Sequence, residues 1–340
     1  MTPVRVARAD QLSQDLAAFV ASPRTADGFQ NPWGAASVRG FGEVLKWQLG
    51  KNDFRKDKRA HTPRLPTVDA DDAWSALPEG ARLQWLGHAA LRVQIDGLQV
   101  VVDPTFGRVG PGPGMARAAP APLPPEALGR VDVVALTHGH YDHLDTRSLK
   151  ALHHANPDAI FAVPIGLEEL MPRGATIVAF DWWQAVTVEG VEICFVPAQH
   201  WHRRALGDTN KALWGGWVIG GRVYHSGDTG YFGGFEAIGK VFPRLDAAVL
   251  PLGAYEPRWF MGSQHMPPEA SVQAKKDLGA RWLVGMHWGT FDLTDEPLDH
   301  GPFTLLPEAL DKRGVPREQA IILAHGGAVD LTSGETVGRV

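Results

Sequence analysis

The sequence predicts an α/β protein in which two mixed β-sheets are sandwiched between helices. Two observations predict it. From Arg82 onward, short runs alternate apolar and polar residues, as Ala90-Leu91-Arg92-Val93-Gln94-Ile95 does, which is the period of a strand with one face on a core. From Asp145 onward, helical stretches are interleaved with further short apolar runs, the order expected of strands joined through helices. The 340 residues suffice for one large domain or two modest ones. Residues 1–80 read as an N-terminal extension and 81–340 as the main domain.

Within the extension, Gln11 to Val20 has helical character. Val38, Phe41, Val44, Leu45 and Leu49 recur at helical spacing between Arg39, Lys46 and Lys51, which predicts a basic amphipathic helix. Such a helix lies on a membrane surface or, the more ordinary outcome, packs on the main domain. Lys51 to Arg64 is strongly charged, ends in prolines and reads as exposed loop. The main domain opens with strands at Leu83–Leu86 and Ala90–Ile95, an Asp96-Gly97 turn and a return strand at Leu98–Val102. Residues 107–125, rich in Gly, Pro and Ala, read as a long surface loop. Val131–Leu136 is a buried strand, and Asp145 caps a helix from Thr146 to about Ala155. Further strands fall at Ala159–Val163, Val186–Val188, Glu192–Val196, Trp217–Ile219, Val223–Tyr224, Ala247–Leu250 and Trp282–Met286. Short helical segments fall at Gly166–Met171 and at Pro268–Leu278, the latter stopped by Gly279.

Hydrophobic residues make up 44% and charged residues 21%, an ordinary globular mix, and the net charge of −5 argues against a nucleic-acid partner. The single cysteine, Cys194, sits in an apolar run and reads as a small core residue. No signal peptide or membrane span is legible, so the expected location is the cytoplasm, with peripheral contact on the inner membrane face. Twelve tryptophans are many for this length. Most read as packing residues, and a minority as the lining of a groove for an apolar substrate.

The most informative segment is Thr137-His138-Gly139-His140-Tyr141-Asp142-His143-Leu144-Asp145, placed where the buried strand ends. In extended chain, residues two apart project to one side, so His138 and His140 can grip one ion while Asp142 and His143 reach a second. His200, Asp228 and His287 each follow an apolar run in the same way. Together they give His138, His140 and His200 for one ion and Asp142, His143 and His287 for another, with Asp228 as a bridge through its two oxygens. Imidazole and carboxylate suit zinc, and iron or manganese in an open site.

This order of ligands resembles the metallo-β-lactamase superfamily. Asn31-Pro32-Trp33, Trp85-Leu86-Gly87-His88-Ala89, Asp181-Trp182-Trp183, Gln199-His200-Trp201, Gly227-Asp228-Thr229-Gly230-Tyr231, Gly253-Ala254-Tyr255-Glu256-Pro257-Arg258-Trp259-Phe260-Met261, Gln264-His265 and His287-Trp288-Gly289-Thr290-Phe291 are similar to the N-acylphosphatidylethanolamine-hydrolysing phospholipase D family. The resemblance implies a four-layer αβ/βα sandwich, two zinc ions, a homodimer, and cleavage of N-acylphosphatidylethanolamine to phosphatidic acid and an N-acylethanolamine. The chain departs from the family pattern in three ways. The Asn-Pro-Trp segment lies nearer the start than in animal members, which implies loss of a membrane-directing N-terminus. His202 stands where the animal pattern has cysteine, and Gly139 where asparagine is more usual.

In the chemistry the resemblance implies, two ions lower the pKa of a shared water from about 15.7 towards about 7, and the hydroxide attacks the phosphodiester. Asp142, Asp228 and His265 are the expected catalytic residues, and Tyr141, Gln264 and His265 the expected substrate-binding ones. His265 would orient the phosphate or protonate the leaving group. Asp145 reads as a helix cap, His88, Asp103 and His225 as structural, and His153 and His154 as carrying no signal. The same metal chemistry on a lactone or a small phosphodiester is the nearest alternative. A ribonuclease fits the acidic charge poorly, and a non-catalytic lipid- or metal-binding module has no need of seven poised ligands.

Overall fold

The structure, a computed structural model, describes residues 1–34, 40–50, 52–110 and 114–340. In chain order the strands are β1 (Val4–Arg5), β2 (Arg82–Gly87), β3 (Ala90–Ile95), β4 (Leu98–Val102), β5 (Val133–Ala135), β6 (Ile160–Pro164), β7 (Thr176–Phe180), β8 (Gln184–Val188), β9 (Val191–Val196), β10 (Gly216–Ile219), β11 (Val223–His225), β12 (Ala247–Pro251), β13 (Trp282–Met286), β14 (Ala320–Ile321), β15 (Leu323–Asp330) and β16 (Thr336–Arg339). They form two eight-stranded sheets, ordered β16-β15-β2-β3-β4-β5-β6-β7 and β1-β8-β9-β10-β11-β12-β13-β14. Each sheet is antiparallel in one half and parallel in the other, from β4 to β7 and from β11 to β14.

The helices are α1 (Phe41–Leu49), α2 (Asp53–Ala60), α3 (Ala70–Ser75), α4 (Thr146–Ala155), α5 (Gly234–Val241), α6 (Arg258–Met261), α7 (Pro268–Leu278) and α8 (Leu306–Arg313). Strand alternation assigns the layers. Val100, Val102, Val133 and Ala135 face the core between the sheets, while Val101, Val134 and Phe161 turn outward onto Leu149 and Leu152 of α4. α7 lies on β12 and β13 and packs against α5 and α8. The result is the expected αβ/βα sandwich. α4 starts at the Asp145 cap, which accepts from the Arg147 N–H at 3.0 Å. α7 stops at Gly279, whose φ of 65° turns the chain left-handed and lets its N–H close on the last turn.

Several expectations are corrected. Lys51–Arg64 is not all loop, because Asn52 caps α2 through the Phe54 N–H. Gln11–Val20 is helical as expected over Gln14–Phe19, in 3-10 form. In α1, Leu45 and Leu49 are exposed, and Trp47 stacks on Phe260 instead. Val38, Arg39 and Lys51 lie outside the described residues. The 107–125 segment is not wholly superficial: Arg117 turns inward and donates to the carbonyls of Leu86, Thr105 and Ala119. The first residues are part of the sheet, with β1 paired to β8. Cys194 is buried as expected, and so are Trp85, Trp182, Trp183, Trp214 and Trp217.

His325 in β15 is buried, and its ring nitrogens reach Thr290 Oγ1 and the Pro66 carbonyl at 3.0 and 3.2 Å. Burial lowers its pKa from 6.5 to about 4. Between those values the unfolded chain holds a proton that the folded one refuses, so stability falls as pH drops from about 6.5 to about 4 and His325 changes nothing outside that window. The contribution is at most about 3 kcal/mol. Denaturant titrations across this range should give His325→Gln a shallower acid loss than the wild type, and parallel curves would contradict the assignment.

Candidate metal centre

The site forms where strands from both sheets end. Left-handed backbone at His88 (φ 54°), Asp103 (φ 44°) and His287 (φ 59°) follows directly on β2, β4 and β13. Non-glycine residues rarely adopt this conformation, and it persists where the surroundings over-determine it. His138 to His143 occupy the loop after β5, His200 the loop after β9, and Asp228 the loop after β11.

The seven residues expected as ligands meet there, in two groups. His138, His140, His200 and Asp228 each offer an atom within 4.8 Å of one another, and so do His88, Asp142, His143 and His287. Asp228 faces both. Its Oδ2 lies 3.9 and 3.8 Å from the Nε2 atoms of His138 and His200, and its Oδ1 lies 3.2 and 3.0 Å from those of His143 and His287. His138 Nε2 and His200 Nε2 also converge on His140 Nδ1, at 2.9 and 3.2 Å.

The opposite ring edges fix which nitrogen is free. His143 Nδ1 donates to Asp103 Oδ2 at 2.7 Å, and His200 Nδ1 donates to the Gln264 carbonyl at 3.3 Å. Thr137 Oγ1 donates to Asp103 Oδ2 and therefore accepts from His138 Nδ1. Each of these three rings thus turns its Nε2 inward, with the Nδ1 proton placed from its partner. Burial pulls His138 and His200 well below the usual histidine range and His140 down to about 3, so these rings are neutral at pH 7. Burial opposes charge on His143 too, but the carboxylates of Asp228, Asp142 and Asp103 raise it well above that range. Asp142 and Asp228 are held well below the usual carboxylate range despite their burial, chiefly by His143.

These groups fit divalent cations. The Nε2 atoms of His143 and His287 and Oδ1 of Asp228 are buried and find no aligned hydrogen bond, although they lie close together. Most buried polar atoms are paired in folded proteins, and imidazole nitrogen with carboxylate oxygen is a donor set of zinc sites.

Sequence reasoning missed two members. His88, expected to be structural, joins the second group, with Nε2 at 2.9 Å from Asp142 Oδ2. Asp103 holds His143 directly and His138 through Thr137. The signal was available for Asp103, which follows Val100-Val101-Val102 as the ligands follow their own apolar runs; only ligand spacing was lacking. His225 is a linking residue, its Nε2 donating to the Ala89 carbonyl.

Over the two groups opens a cavity of about 610 Å³, lined by His140, Asp142, Asp228 and His287 at its floor and by Tyr141, Gln264 and His265 around it. His265 Nδ1 lies 3.9 Å from Asp228 Oδ2, and burial lowers this imidazole to about 4. The Tyr141 hydroxyl is committed to the Arg204 carbonyl at 2.9 Å, with the Arg204 guanidinium over its ring. The two unusual residues of the motif region touch. A Cβ at Gly139 would stand 2.3 Å from His202 Cε1, so the His202 ring occupies the space of any side chain at 139.

The model of the Beta-lactamase superfamily domain matches residues 99–288. An N-acyl-phosphatidylethanolamine-hydrolyzing phospholipase D of Caenorhabditis elegans is 32% identical over 92% of this chain and 94% of its own length. A metal-dependent hydrolase of Methanopyrus kandleri is 33% identical over 65% of this chain and 88% of its own. Among solved structures, a metallo hydrolase of Ignicoccus hospitalis superposes with a TM-score of 0.54 at 21% identity, covering 76% of this chain and 97% of that one.

Two expectations follow. Asp103→Asn should weaken metal retention about 10- to 100-fold, as loss of a ligand-orienting carboxylate does; elemental analysis after dialysis against graded chelator measures it, and unchanged retention would refute the orienting role. Gly139→Asn should lower the melting temperature through collision with His202, and adding His202→Cys should restore much of the loss. Additive losses in the double variant would show that the two positions are uncoupled.

Proposed function

The chain belongs to the Beta-lactamase superfamily and, within it, to the N-acylphosphatidylethanolamine-hydrolysing phospholipase D family; it is a metal-dependent hydrolase, and from that premise we propose that it holds two metal ions and cleaves the phosphodiester of an N-acylated phospholipid. The observation that carries the dinuclear reading is Asp228, one oxygen of which faces His138 and His200 and the other His143 and His287. His138, His140 and His200 would hold one ion and Asp142, His143 and His287 the other, with Asp228 shared and zinc the metal that suits this set. When bound, such a pair polarises a phosphoryl oxygen and acidifies water.

The chain's own residues do the rest. Asp103 keeps the rings of His143 and His138 in the ligating tautomer. Neutral in this environment, His265 donates a ring N–H to a phosphoryl oxygen and orients it at the cavity floor. Gln264 borders the same space, and Tyr141, its hydroxyl already engaged, acts as a wall. The cavity is far more apolar than its floor, with Trp47, Trp201, Leu206, Phe260, Met261 and Leu293 around it, which supports a substrate with fatty chains. Leu45, Leu49, Leu206 and Trp259 are exposed on the same elements and support peripheral contact with a lipid surface. No helix among the described residues is long and apolar enough to cross a membrane. Within residues 1–80, α1 acts as cover for the 81–340 hydrolase domain, since it contributes Trp47 to the cavity.

Offered N-acylphosphatidylethanolamine, a lactone and a generic phosphodiester, the purified protein should turn over the lipid fastest. His265→Ala should lower kcat about 100-fold with metal content unchanged, and Asp228→Asn should abolish all three activities with the fold intact. Fast lactone turnover without lipid turnover would overturn the substrate, and full activity in Asp228→Asn would overturn the bridge.

A further inference from the structure

We infer that Trp47 is a specificity-determining residue, and that Asp295 is the positioning residue that holds it in the substrate cavity. This rests on the reading of that cavity as the substrate site, not on the identity of the scissile bond. Trp47 belongs to α1, far in sequence from every candidate ligand, yet its side chain lines the cavity whose floor is His140, Asp142, Asp228 and His287. Its indole is fixed on two sides. The ring stacks on Phe260 with centroids 4.9 Å apart, and Nε1 donates to Asp295 Oδ2 at 2.9 Å.

Asp295 is built to do this. It is 5% exposed and accepts from three donors of the N-terminal segment: Trp47 Nε1, Asn52 Nδ2 at 2.6 Å and Arg55 Nε at 2.8 Å. The rest of the Arg55 guanidinium donates to the carbonyls of Gln48 and Trp47, both at 2.9 Å, so one cation ties the end of α1 to the buried carboxylate. Flanking carboxylates repeat the clasp: Asp292 pairs with Lys58, and Asp299 accepts from the Arg64 N–H and contacts His61. The same stretch gives Leu293 and Thr294 to the cavity wall. The clasp therefore places one aromatic wall of the cavity, and the ligand it selects is one with a long apolar arm beside an anionic phosphoryl group.

Calorimetric titration with alkylphosphonic acids tests this. They carry phosphoryl oxygens and no ester bond to cleave, so binding is read whether or not the protein hydrolyses phosphodiesters. The metal-loaded wild type should prefer a long-chain over a short-chain acid. That preference should fall about tenfold in Trp47→Ala, fall in Asp295→Asn, and largely survive in Trp47→Phe, which keeps a ring on Phe260. Melting curves report folding, and Trp47→Leu serves in place of Trp47→Ala if the latter melts early. A preference within about twofold of wild type in the truncated variant, or none in the wild type, overturns the inference. Absence of phosphodiester turnover would sink the proposed activity alone.

Discussion

The carboxylate of Asp103, with no exposed surface, is the constraint on which the site depends. It accepts from the Thr137 N–H at 2.8 Å, from Thr137 Oγ1 at 2.6 Å and from His143 Nδ1 at 2.7 Å. These bonds pin the first residue of the histidine loop, choose the tautomer of His143, and through Thr137 choose that of His138. A buried carboxylate without donors is expensive, so the loop cannot leave Asp103 without a large penalty. One side chain thus orients a ring in each of the two groups.

The sandwich explains why the groups meet at all. Both sheets carry a parallel half, and parallel strands present their C-terminal ends on one edge. β4, β5 and β6 supply that edge in one sheet, β11, β12 and β13 in the other. Asp103, the His138–His143 loop, Asp228 and His287 are the residues at or just beyond those ends. The sheets are held face to face by a continuous apolar core, with Trp217 between them donating to the Leu136 carbonyl immediately before the histidine loop. The core and the ligand loop are thereby joined by a hydrogen bond as well as by chain connectivity.

Much of this was legible from local pattern. Each of His138, His200, Asp228 and His287 follows an apolar run, and strand periodicity placed the runs in sheets. What escaped depends on long-range contact. β14, β15 and β16 close the sheet edges near the C-terminus, where Gly-rich sequence such as Ala324-His325-Gly326-Gly327 carries little strand signal. β7 is half exposed, so its alternation is weak. α2 has few apolar residues, and ion pairs to Asp292 and Asp295 hold it, partners more than 200 residues away that no local window contains. His88 lacks ligand spacing because it arrives from the β2–β3 turn, and only the fold brings it to Asp142.

The same distinction bears on how firmly the N-terminal segment is attached. Its first residues pair with β8, and the stretch from α1 to Arg64 is bound through three carboxylates, Asp292, Asp295 and Asp299. Asp292 is more than half exposed, and an ion pair in that setting contributes little, on the order of 0–1 kcal/mol. Asp299 is buried, and His61 opposite it is 44% exposed. Asp295 is as buried, with a side chain 6% exposed, and faces the less exposed Arg55, 24% exposed. Removing one partner of a buried charged hydrogen bond leaves the other unsatisfied, at a cost of several kcal/mol. The attachment thus includes, at Asp295, the residue that also fixes the Trp47 indole. The strand ends carry the candidate ligands, while α1, tied to Asp295 through Trp47, contributes one wall of the cavity above them.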